Sequence, residues 1–222
     1  MEKMHSALAI LQKTGEFLLD LVLPQDPETR TIEKMTAAKA LGEFRPARKG
    51  EVWIESFFDY KDSLVQKAIW ELKYRGNEKI AQLFAEVLCD HLIEEIGELG
   101  LFKNFREPLL VPIPLSRERE RERGFNQMRL VLEKIDATRL GAEVSYKALQ
   151  KIKNTKPQTS FSKKSDRLKN LSGAFAANAP EVLDRNIILF DDVLTTGSTL
   201  HEARRTLLSA GARDVIAYTL AH

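Results

Sequence analysis

The segment at residues 186–199, NIILFDDVLTTGST, constrains the fold of this chain more than any other part of the sequence. Residues 187–190 are apolar at every position, which is typical of a strand that is buried on both faces inside a parallel sheet. Two adjacent acids, Asp191 and Asp192, follow this run. Because open parallel sheets bind ligands beyond the carboxyl ends of their strands, the pattern predicts a ligand site at these two acids.

The loop after the acids has the composition of a phosphate site. It offers backbone amides, hydroxyl side chains, a glycine that lets the main chain approach a ligand closely, and the start of a predicted helix. Two carboxylates beside a phosphate repel it unless sugar hydroxyls or a Mg²⁺ ion lie between them. The combination therefore predicts a ribose phosphate with metal, although either half alone fits an ordinary turn and helix start equally well. The Gly-Lys-Thr/Ser ending of a nucleotide-binding P-loop and the G-x-G-x-x-G pattern are both missing from the chain, which disfavours those two classes.

The rest of the chain alternates between strand and helix patterns from residue 51 onward. Strands are predicted at residues 51–60, 108–114, 186–190 and 214–221, with weaker extended stretches at 142–151. Helices are predicted at residues 63–75, 77–96, 125–135 and 199–211, with an Arg/Glu-rich loop before the third. Asp62 or Ser63 and then Asn77 are the predicted N-caps, and Gly76 closes the first helix. This order predicts an α/β fold with a central, mainly parallel sheet flanked by helices, and it separates a helical N-terminal extension (1–50) from the main domain (51–222).

Composition and charge exclude several classes of protein. No stretch approaches the roughly 18 to 20 consecutive apolar residues that a membrane span needs. Because charged residues interrupt the start of the chain, we expect a cytoplasmic protein with no cleaved signal. Cys89 is the single cysteine and the four histidines have no ligand-type spacing, so a zinc site is not expected.

Two basic segments are candidates for binding anionic groups. The formal net charge of +2 is small, so affinity for a phosphate or a nucleic acid must come from local clusters of basic residues. In the RERERER run we interpret most arginines as solvated, but Arg123 precedes Gly124 at a predicted turn, where a backbone can approach an anion. Residues 147–169 contain eight basic residues and one acid. From the residues alone this segment fits a hood over a ligand, a contact with single-stranded nucleic acid or a solvated loop equally well.

The strand, the two acids and the TTGST loop together resemble the 5-phosphoribosyl-1-pyrophosphate (PRPP) motif of type I phosphoribosyltransferases. The resemblance implies the type I phosphoribosyltransferase-like fold, and it implies that Asp191 and Asp192 hold the ribose hydroxyls directly or through Mg²⁺. It also implies that the loop wraps the 5-phosphate, through Thr195, Thr196, Gly197, Ser198 and Thr199. Thr195 stands where enzymes acting on 6-oxopurines usually carry a third acid, so that substrate class is disfavoured.

Further motifs are similar to those of the ComF family, phosphoribosyltransferase-like proteins associated with DNA uptake in natural competence. The similarity runs from residue 52 to the C-terminus and rests on the stretches FDYKDSLVQKAIWELKYRG, LVPIPLSRERERERGFNQ and TKPQTSFSKKSDRLKNLSGAF. It implies a pyrophosphate-side element marked by Arg123, Gly124, Asn126 and Gln127. It also implies a hood segment, marked by Thr155, Gln158, Arg167 and Asn170. Together with Lys156, Gln158 and Arg167 are also the candidates for a DNA contact by this basic segment.

Two departures from the family pattern affect what the resemblance implies. Many members begin with a four-cysteine zinc ribbon, which a chain with one cysteine cannot form. Lys151 and Lys153 stand where the family commonly has arginine, which keeps the charge but loses bidentate phosphate geometry. The acceptor substrate is expected to be read by a variable hood, which we place at residues 51–76.

Two functions remain open from the sequence. The first is a Mg²⁺- and PRPP-binding phosphoribosyltransferase, with Asp191 and Asp192 as catalytic and metal-binding residues, an unidentified acceptor and a ComF-like role in DNA uptake. The second is a non-catalytic accessory protein of natural transformation that holds single-stranded DNA or a competence helicase through residues 147–169. A scaffold with a decayed site is disfavoured because the acids and the loop are complete.

Overall fold

A computed structural model describes residues 26–48, 50–153 and 172–222 of the chain. The predicted hood or DNA-binding residues lie outside the described residues, and their roles stay predictions: Thr155, Lys156, Gln158, Arg167 and Asn170. Within the described ranges, no helix combines the length and the apolar character that crossing a bilayer requires.

A five-stranded parallel sheet forms the centre of the fold, in the strand order β1-β7-β6-β2-β3. Its strands are β1 (Ile54–Phe58), β2 (Leu109–Pro112), β3 (Glu143–Val144), β6 (Asn186–Val193) and β7 (Asp214–Ala221). A separate antiparallel pair consists of β4 (Leu149–Lys151) and β5 (Phe175–Ala177). The predicted α/β class with a mainly parallel sheet is confirmed.

Helices cover the sheet, and two of them begin at the predicted caps. The side chain of Asp62 accepts backbone hydrogen bonds at the start of α3, Gly76 ends that helix with a φ of 60°, and Asn77 caps α4. The helices in the described residues are α1 (Pro27–Ile32), α2 (Ala37–Glu43), α3 (Ser63–Arg75), α4 (Glu78–Lys103), α5 (Arg117–Arg123), α6 (Gln127–Leu132), α7 (Ala179–Val182) and α8 (Ser198–Ser209).

Two helices differ from the sequence predictions. Helix α4 continues to Lys103, past the predicted end at Ile96, and Leu99 extends its buried face. The predicted Arg/Glu-rich loop is helix α5, in which the Ser116 hydroxyl caps the N-terminus by accepting a hydrogen bond from the Arg119 N–H. None of the α5 residues is buried, so this helix lacks the apolar periodicity from which packed helices are recognised.

Strand β6 packs into a core on each face of the sheet. Ile188 and Phe190 belong to one core, together with residues of α3, α4 and α6. Ile187 and Leu189 belong to the other, together with residues of β4, β5 and α8. All four side chains have no exposed surface, as expected of an apolar run that is covered on both faces. The strand that leads to the two acids is therefore central and fully packed.

The N-terminal residues pack against the first of these cores through Ile32, Ala40 and Phe44. Pro46 forms a bridge with Phe58, so the segment also touches the edge of the sheet. The domain boundary at residue 50 stays a prediction. Residues 51–76 form β1, which pairs in the main sheet with β7, and then α3. The hood role expected of this segment stays a prediction.

Candidate functional site

Asp192 lies at the end of the central strand and is held by two side chains. Its Oδ2 atom accepts a hydrogen bond from Nε2 of Gln127 at 3.0 Å and lies 2.8 Å from Nζ of Lys73. Lys73 comes from the last turn of α3, and Gln127 is the first residue of α6. Because Asp192 is buried, solvent screens these contacts weakly. The chain thus supplies a charge partner for this carboxylate.

Unlike Asp192, Asp191 is partly exposed, and its pKa is raised. Desolvation raises its pKa to about 7, and the neighbouring charge of Asp192 adds to this effect, while Lys73 and Lys151 oppose it. Its Oδ1 atom accepts a hydrogen bond from the Asp192 N–H at 2.9 Å. A carboxyl with this pKa is partly protonated near neutral pH. A cation bound beside it lowers the pKa and favours the ionised form.

Opposing effects act on the two lysines of the site. Burial lowers the pKa of Lys73, but attraction by Asp192 and Asp191 outweighs burial, and the net pKa is raised. Burial also lowers the pKa of Lys151, and Arg119 lowers it further, so its net pKa falls. Lys73 is therefore the more firmly protonated of the two.

The loop after β6 leads directly into α8. Gly197 stands at the helix N-terminus with a φ of 72°, a conformation that residues with side chains rarely adopt. Oγ1 of Thr196 and Oγ of Ser198 lie 2.9 Å apart. The loop therefore presents hydroxyl groups at the start of a 12-residue helix, where the partial positive charge of the backbone favours an anion.

A cavity of about 620 Å³ brings the predicted site residues together. Its lining includes both acids and three residues of the loop, Thr195, Gly197 and Thr199. Its cationic lining comes from α3, α5 and β4, through Lys73, Arg119, Arg123 and Lys151. The predicted residue Gly124 is not among the lining residues, and it closes α5 next to Arg123 with a φ of 80°.

The pyrophosphate-side element implied by the family resemblance divides into two parts. Gln127 connects the cavity groups, since its Oε1 accepts a hydrogen bond from Nη1 of Arg123 at 3.3 Å while its Nε2 donates to Asp192. Asn126 instead holds the backbone: its side chain caps α6, and its Nδ2 donates to the carbonyl of Ile113 at 2.9 Å. Asn126 therefore positions the helix that carries Gln127.

Sequence reasoning missed Lys73 and misjudged Arg119. Lys73 lies in the LKYRG motif that supports the family resemblance, but nothing in the motif indicated a contact with Asp192. Its one local signal is its place in the last turn of a helix, immediately before Tyr74 and the closing Gly76. Arg119 was interpreted with its neighbours as solvated, yet it lines the cavity.

Two exposed aromatic rings lie on α3 near the cavity. Trp70 is 44% exposed and Tyr74 is 57% exposed, and their ring centroids are 5.6 Å apart. The guanidinium of Arg75 lies 5.1 Å from the Trp70 ring, and that of Arg123 lies 5.2 Å from the Tyr74 ring. Exposed rings next to cations form a surface on which another planar group can stack.

The C-terminal part of the chain matches a known family. Residues 130–222 match the family model described as "Phosphoribosyl transferase domain". The matched range contains β6, the loop and α8, and therefore the two acids and the predicted phosphate site.

Curated relatives match a longer part of the chain. "Competence protein ComFC" of Bacillus subtilis (strain 168) is 36% identical over 166 residues, which cover 74% of this chain and 62% of that protein. "Competence protein ComFC" of Streptococcus pneumoniae is 27% identical over 148 residues, covering 67% and 59%. "DNA utilization protein YhgH" of Salmonella typhimurium is 31% identical over 152 residues, covering 68% and 64%. The chain thus spans less than two thirds of the length of each of these relatives.

Proposed function

We propose that this chain, a member of the ComF family with a type I phosphoribosyltransferase-like fold, binds a PRPP-type phosphoribosyl ligand with Mg²⁺ at Asp191 and Asp192. One observation carries the proposal: two acids, a hydroxyl-rich loop at a helix N-terminus and several cationic side chains surround one cavity. A PRPP-type ligand has the three complementary parts, namely sugar hydroxyls, a 5-phosphate and a pyrophosphate group.

The carboxylates fit Mg²⁺, which takes oxygen ligands and keeps several waters. Asp191 is the better placed of the two, because it is partly exposed and lines the cavity, whereas Lys73 and Gln127 already occupy Oδ2 of Asp192. We assign Asp191 to the ion or to a ribose hydroxyl that it orients, and Asp192 to a ribose hydroxyl and to Lys73. A bound Mg²⁺ ion supplies positive charge that stabilises the ionised form of Asp191 and the pyrophosphate.

The two phosphate groups are assigned to different elements. The 5-phosphate takes hydrogen bonds from the loop at residues 195–199, where the N-terminus of α8 adds a favourable field. The pyrophosphate lies toward the cationic lining, which Arg119, Arg123 and Lys151 provide. In this placement the sugar lies at the two acids, with the 5-phosphate on one side of it and the pyrophosphate on the other.

Transfer of the phosphoribosyl group is the further step of this proposal. In that reaction the bond between the anomeric carbon and the pyrophosphate oxygen breaks, a nucleophile of an unidentified acceptor forms the new bond, and pyrophosphate leaves with the electron pair. Arg119, Arg123 and Lys151 would stabilise the charge that develops on the leaving group. By analogy with relatives named for competence and DNA utilization, we propose that the bound ligand serves a step in DNA uptake.

Calorimetric titration with PRPP and Mg²⁺ tests the binding proposal. The double variant Asp191→Asn with Asp192→Asn keeps the side-chain shapes but removes both charges, and we expect binding to weaken by more than about 100-fold. The matched control is Asp184→Asn with Asp214→Asn, which removes two charges at the amino ends of β6 and β7. Equal affinity in the two double variants, or no binding by the unaltered chain, would overturn the proposal.

A second candidate function, binding of single-stranded DNA, is favoured by the rings of Trp70 and Tyr74. Bases stack on exposed aromatic rings without sequence preference, and the cations over these rings can contact the DNA backbone. Tyr74 lines the same cavity as the two acids, so DNA stacked on these rings would lie next to the proposed PRPP site. The partner roles predicted for Lys156, Gln158 and Arg167 remain part of this candidate.

Fluorescence anisotropy with a labelled oligothymidylate tests this candidate. We expect Trp70→Ala with Tyr74→Ala to weaken binding by about tenfold or more, since stacking contributes roughly 1 to 3 kcal/mol per base. The control is Phe102→Ala, because this ring is 83% exposed near the end of α4. Binding should also weaken steeply with added salt. If the aromatic variant binds as tightly as the control, DNA does not stack on this surface.

A further inference from the structure

A group of side chains of the types that can ligate a metal lies at the outer edge of the sheet and belongs to no part of the proposed PRPP site. One ligand atom from each of Glu55, His91 and Glu95 lies within 4.8 Å of the other two. Glu55 lies on the edge strand β1, whereas His91 and Glu95 lie on α4. The latter two are four residues apart, so one face of the helix carries both.

The distance between His91 and Glu55 matches the spacing of two ligands around one ion. Nε2 of His91 lies 3.3 Å from Oε2 of Glu55. Two ligand atoms on a tetrahedral zinc ion, with bonds of about 2.0 to 2.1 Å, are separated by about 3.3 Å. Although this nitrogen is buried, it makes no geometrically acceptable hydrogen bond with any described residue. The ion-pair contact with Glu55 offsets part of the cost of burying this nitrogen, and coordination to a metal would offset it more fully.

The imidazole ring is held in place by aromatic neighbours. The ring of Phe57 contacts it edge to face, with centroids 5.1 Å apart and an angle of 82° between the planes. Tyr218 contacts it similarly, at 5.6 Å and 75°. Tyr218 is also the residue of β7 that stands opposite Glu55 in the sheet. The neighbouring strand therefore fixes the position of one ligand and the orientation of another.

The surroundings of the group are acidic. A cavity of about 750 Å³ lies next to it and is lined by Glu51, Glu55, Asp90 and Glu94 together with His91. Among the described residues that line this cavity, Arg48 is the one cationic side chain. Clustered carboxylates create a negative potential that raises the local concentration of cations. The site at Asp191 has the opposite character, because lysines and arginines line its cavity.

We propose that Glu55, His91 and Glu95 bind a divalent first-row transition metal ion, for which Zn²⁺ is the best fit. One imidazole and two carboxylates suit zinc, and a fourth position open to the acidic cavity takes water. The ion links β1 to α4. Since β1 is the edge strand of the five-stranded sheet and, among the described residues, its outer side meets only the short segment around Pro46, this link attaches it to the helix that covers the sheet.

Calorimetric titration of the full chain with Zn²⁺, after removal of metals with a chelator, tests the site. The titration uses the Asp191→Asn and Asp192→Asn background, so that zinc at the phosphoribosyl site does not contribute. We expect one saturable equivalent, and His91→Ala should weaken its affinity by more than about 100-fold, because even residues that only support a ligand contribute 10- to 100-fold. Co²⁺ in place of Zn²⁺ should give the intense visible absorption of a four-coordinate ion, and His91→Ala should abolish it.

His201→Ala is the matched control for His91→Ala. His201 also lies beside a glutamate, with its Nε2 2.9 Å from Oε1 of Glu51, and it also contacts an aromatic ring edge to face, that of Trp53. It does not belong to the three-residue ligand group. We therefore expect His201→Ala to keep the zinc equivalent.

A second variant, Glu95→Gln, separates loss of the ligand from loss of the fold. It keeps the size of the side chain, so the metal-free protein should unfold at the same temperature as the unaltered chain, while zinc should no longer raise that temperature. Zinc binding that survives both His91→Ala and Glu95→Gln, or no saturable binding in the parent background, overturns the proposal. Neither outcome bears on PRPP binding, which is measured separately.

Discussion

The two carboxylate groups of this protein differ in how their negative charge is balanced. At the end of β6, Lys73 lies within 2.8 Å of Asp192, and further lysines and arginines line the same cavity. At the edge of the sheet, Glu55 and Glu95 lie beside His91, and the adjoining cavity is mainly acidic. The first arrangement suits a polyanion that brings its own metal, whereas the second suits a free metal ion. The local balance of charge, rather than the presence of acids, therefore distinguishes the two proposed ligands.

The largest expected effect is a complete separation of the two sites by mutation. Asp191→Asn with Asp192→Asn should weaken PRPP binding by more than about 100-fold while changing zinc affinity by less than about threefold, because distant sites act independently. His91→Ala should do the reverse. Calorimetry on both variants with both ligands measures the four affinities. If either variant weakens both ligands to a similar extent, the distinction between the sites is wrong.

A double-mutant cycle on Lys73 and Asp192 measures how strongly the chain balances its own carboxylate. We expect a coupling of about 1 to 3 kcal/mol for Lys73→Met with Asp192→Asn, because the two groups are in contact and Asp192 is buried. Urea unfolding of the single and double variants gives this value.

The control cycle uses Lys39 and Glu43, which lie 3.5 Å apart with side chains that are 53% and 44% exposed. There we expect a coupling below about 1 kcal/mol, because solvent screens the pair. Equal coupling in the two cycles would mean that burial adds nothing to the contact between Lys73 and Asp192.

The raised pKa of Asp191 predicts a smaller effect of pH on the ligand-free protein. From about pH 4 to pH 7 the folded state keeps a proton that the unfolded state, with a carboxyl pKa of 3.8, has already released. Raising the pH through this window therefore favours unfolding, with an expected slope below about 1 kcal/mol per pH unit, since Asp191 is partly exposed. Urea unfolding across this range should show that Asp191→Asn removes this part of the slope and that Asp184→Asn keeps it. If the free energy of unfolding of Asp191→Asn depends on pH as steeply as that of the unaltered chain, a group other than Asp191 causes the pH dependence.

The smallest expected effect concerns the cationic lining of the first site. Lys151→Arg should tighten PRPP binding by roughly threefold, because a guanidinium stays ionised when buried and can bind a phosphate through two hydrogen bonds. Lys147→Arg is the control, since Lys147 is exposed and is not among the residues that line this cavity. Calorimetry compares the two variants, and a gain of the same size in both would indicate a general effect of charge rather than a contact with the ligand.

The elements with strong local signals could be predicted from the sequence. Strand β6 could be predicted because a short apolar run that ends at two acids and a turn-forming loop is typical of a covered parallel strand. Asp62 and Asn77 could be predicted as caps because their side chains act on the next few backbone amides. Helix α5 was missed as a helix because its residues alternate between arginine and glutamate and bury no face. The order of the strands was also out of reach, because β1 pairs with the last strand of the chain.

The candidate sites show the same division between local and distant contacts. Asp191, Asp192 and the loop are contiguous, so their common position could be inferred from one segment. The contact of Lys73 with Asp192 depends on how α3 packs against the sheet, and no pattern in either segment encodes it. The group formed by Glu55, His91 and Glu95 was missed for a similar reason, because only two of its members share a helix and histidine spacing alone gives no signal.

The central position of β6 has a consequence for hydrogen exchange. This strand is paired on both sides, with β7 and β2, and its side chains fill both cores. Its amides should therefore exchange with solvent only when the whole domain unfolds, whereas β1, which within the described part of the chain meets only the short segment around Pro46 on its outer side, should open more easily. Because Asp191 and Asp192 belong to β6, a ligand has no strand to order when it binds. The slowing of exchange that follows binding should instead be found at the loop and the first turn of α8.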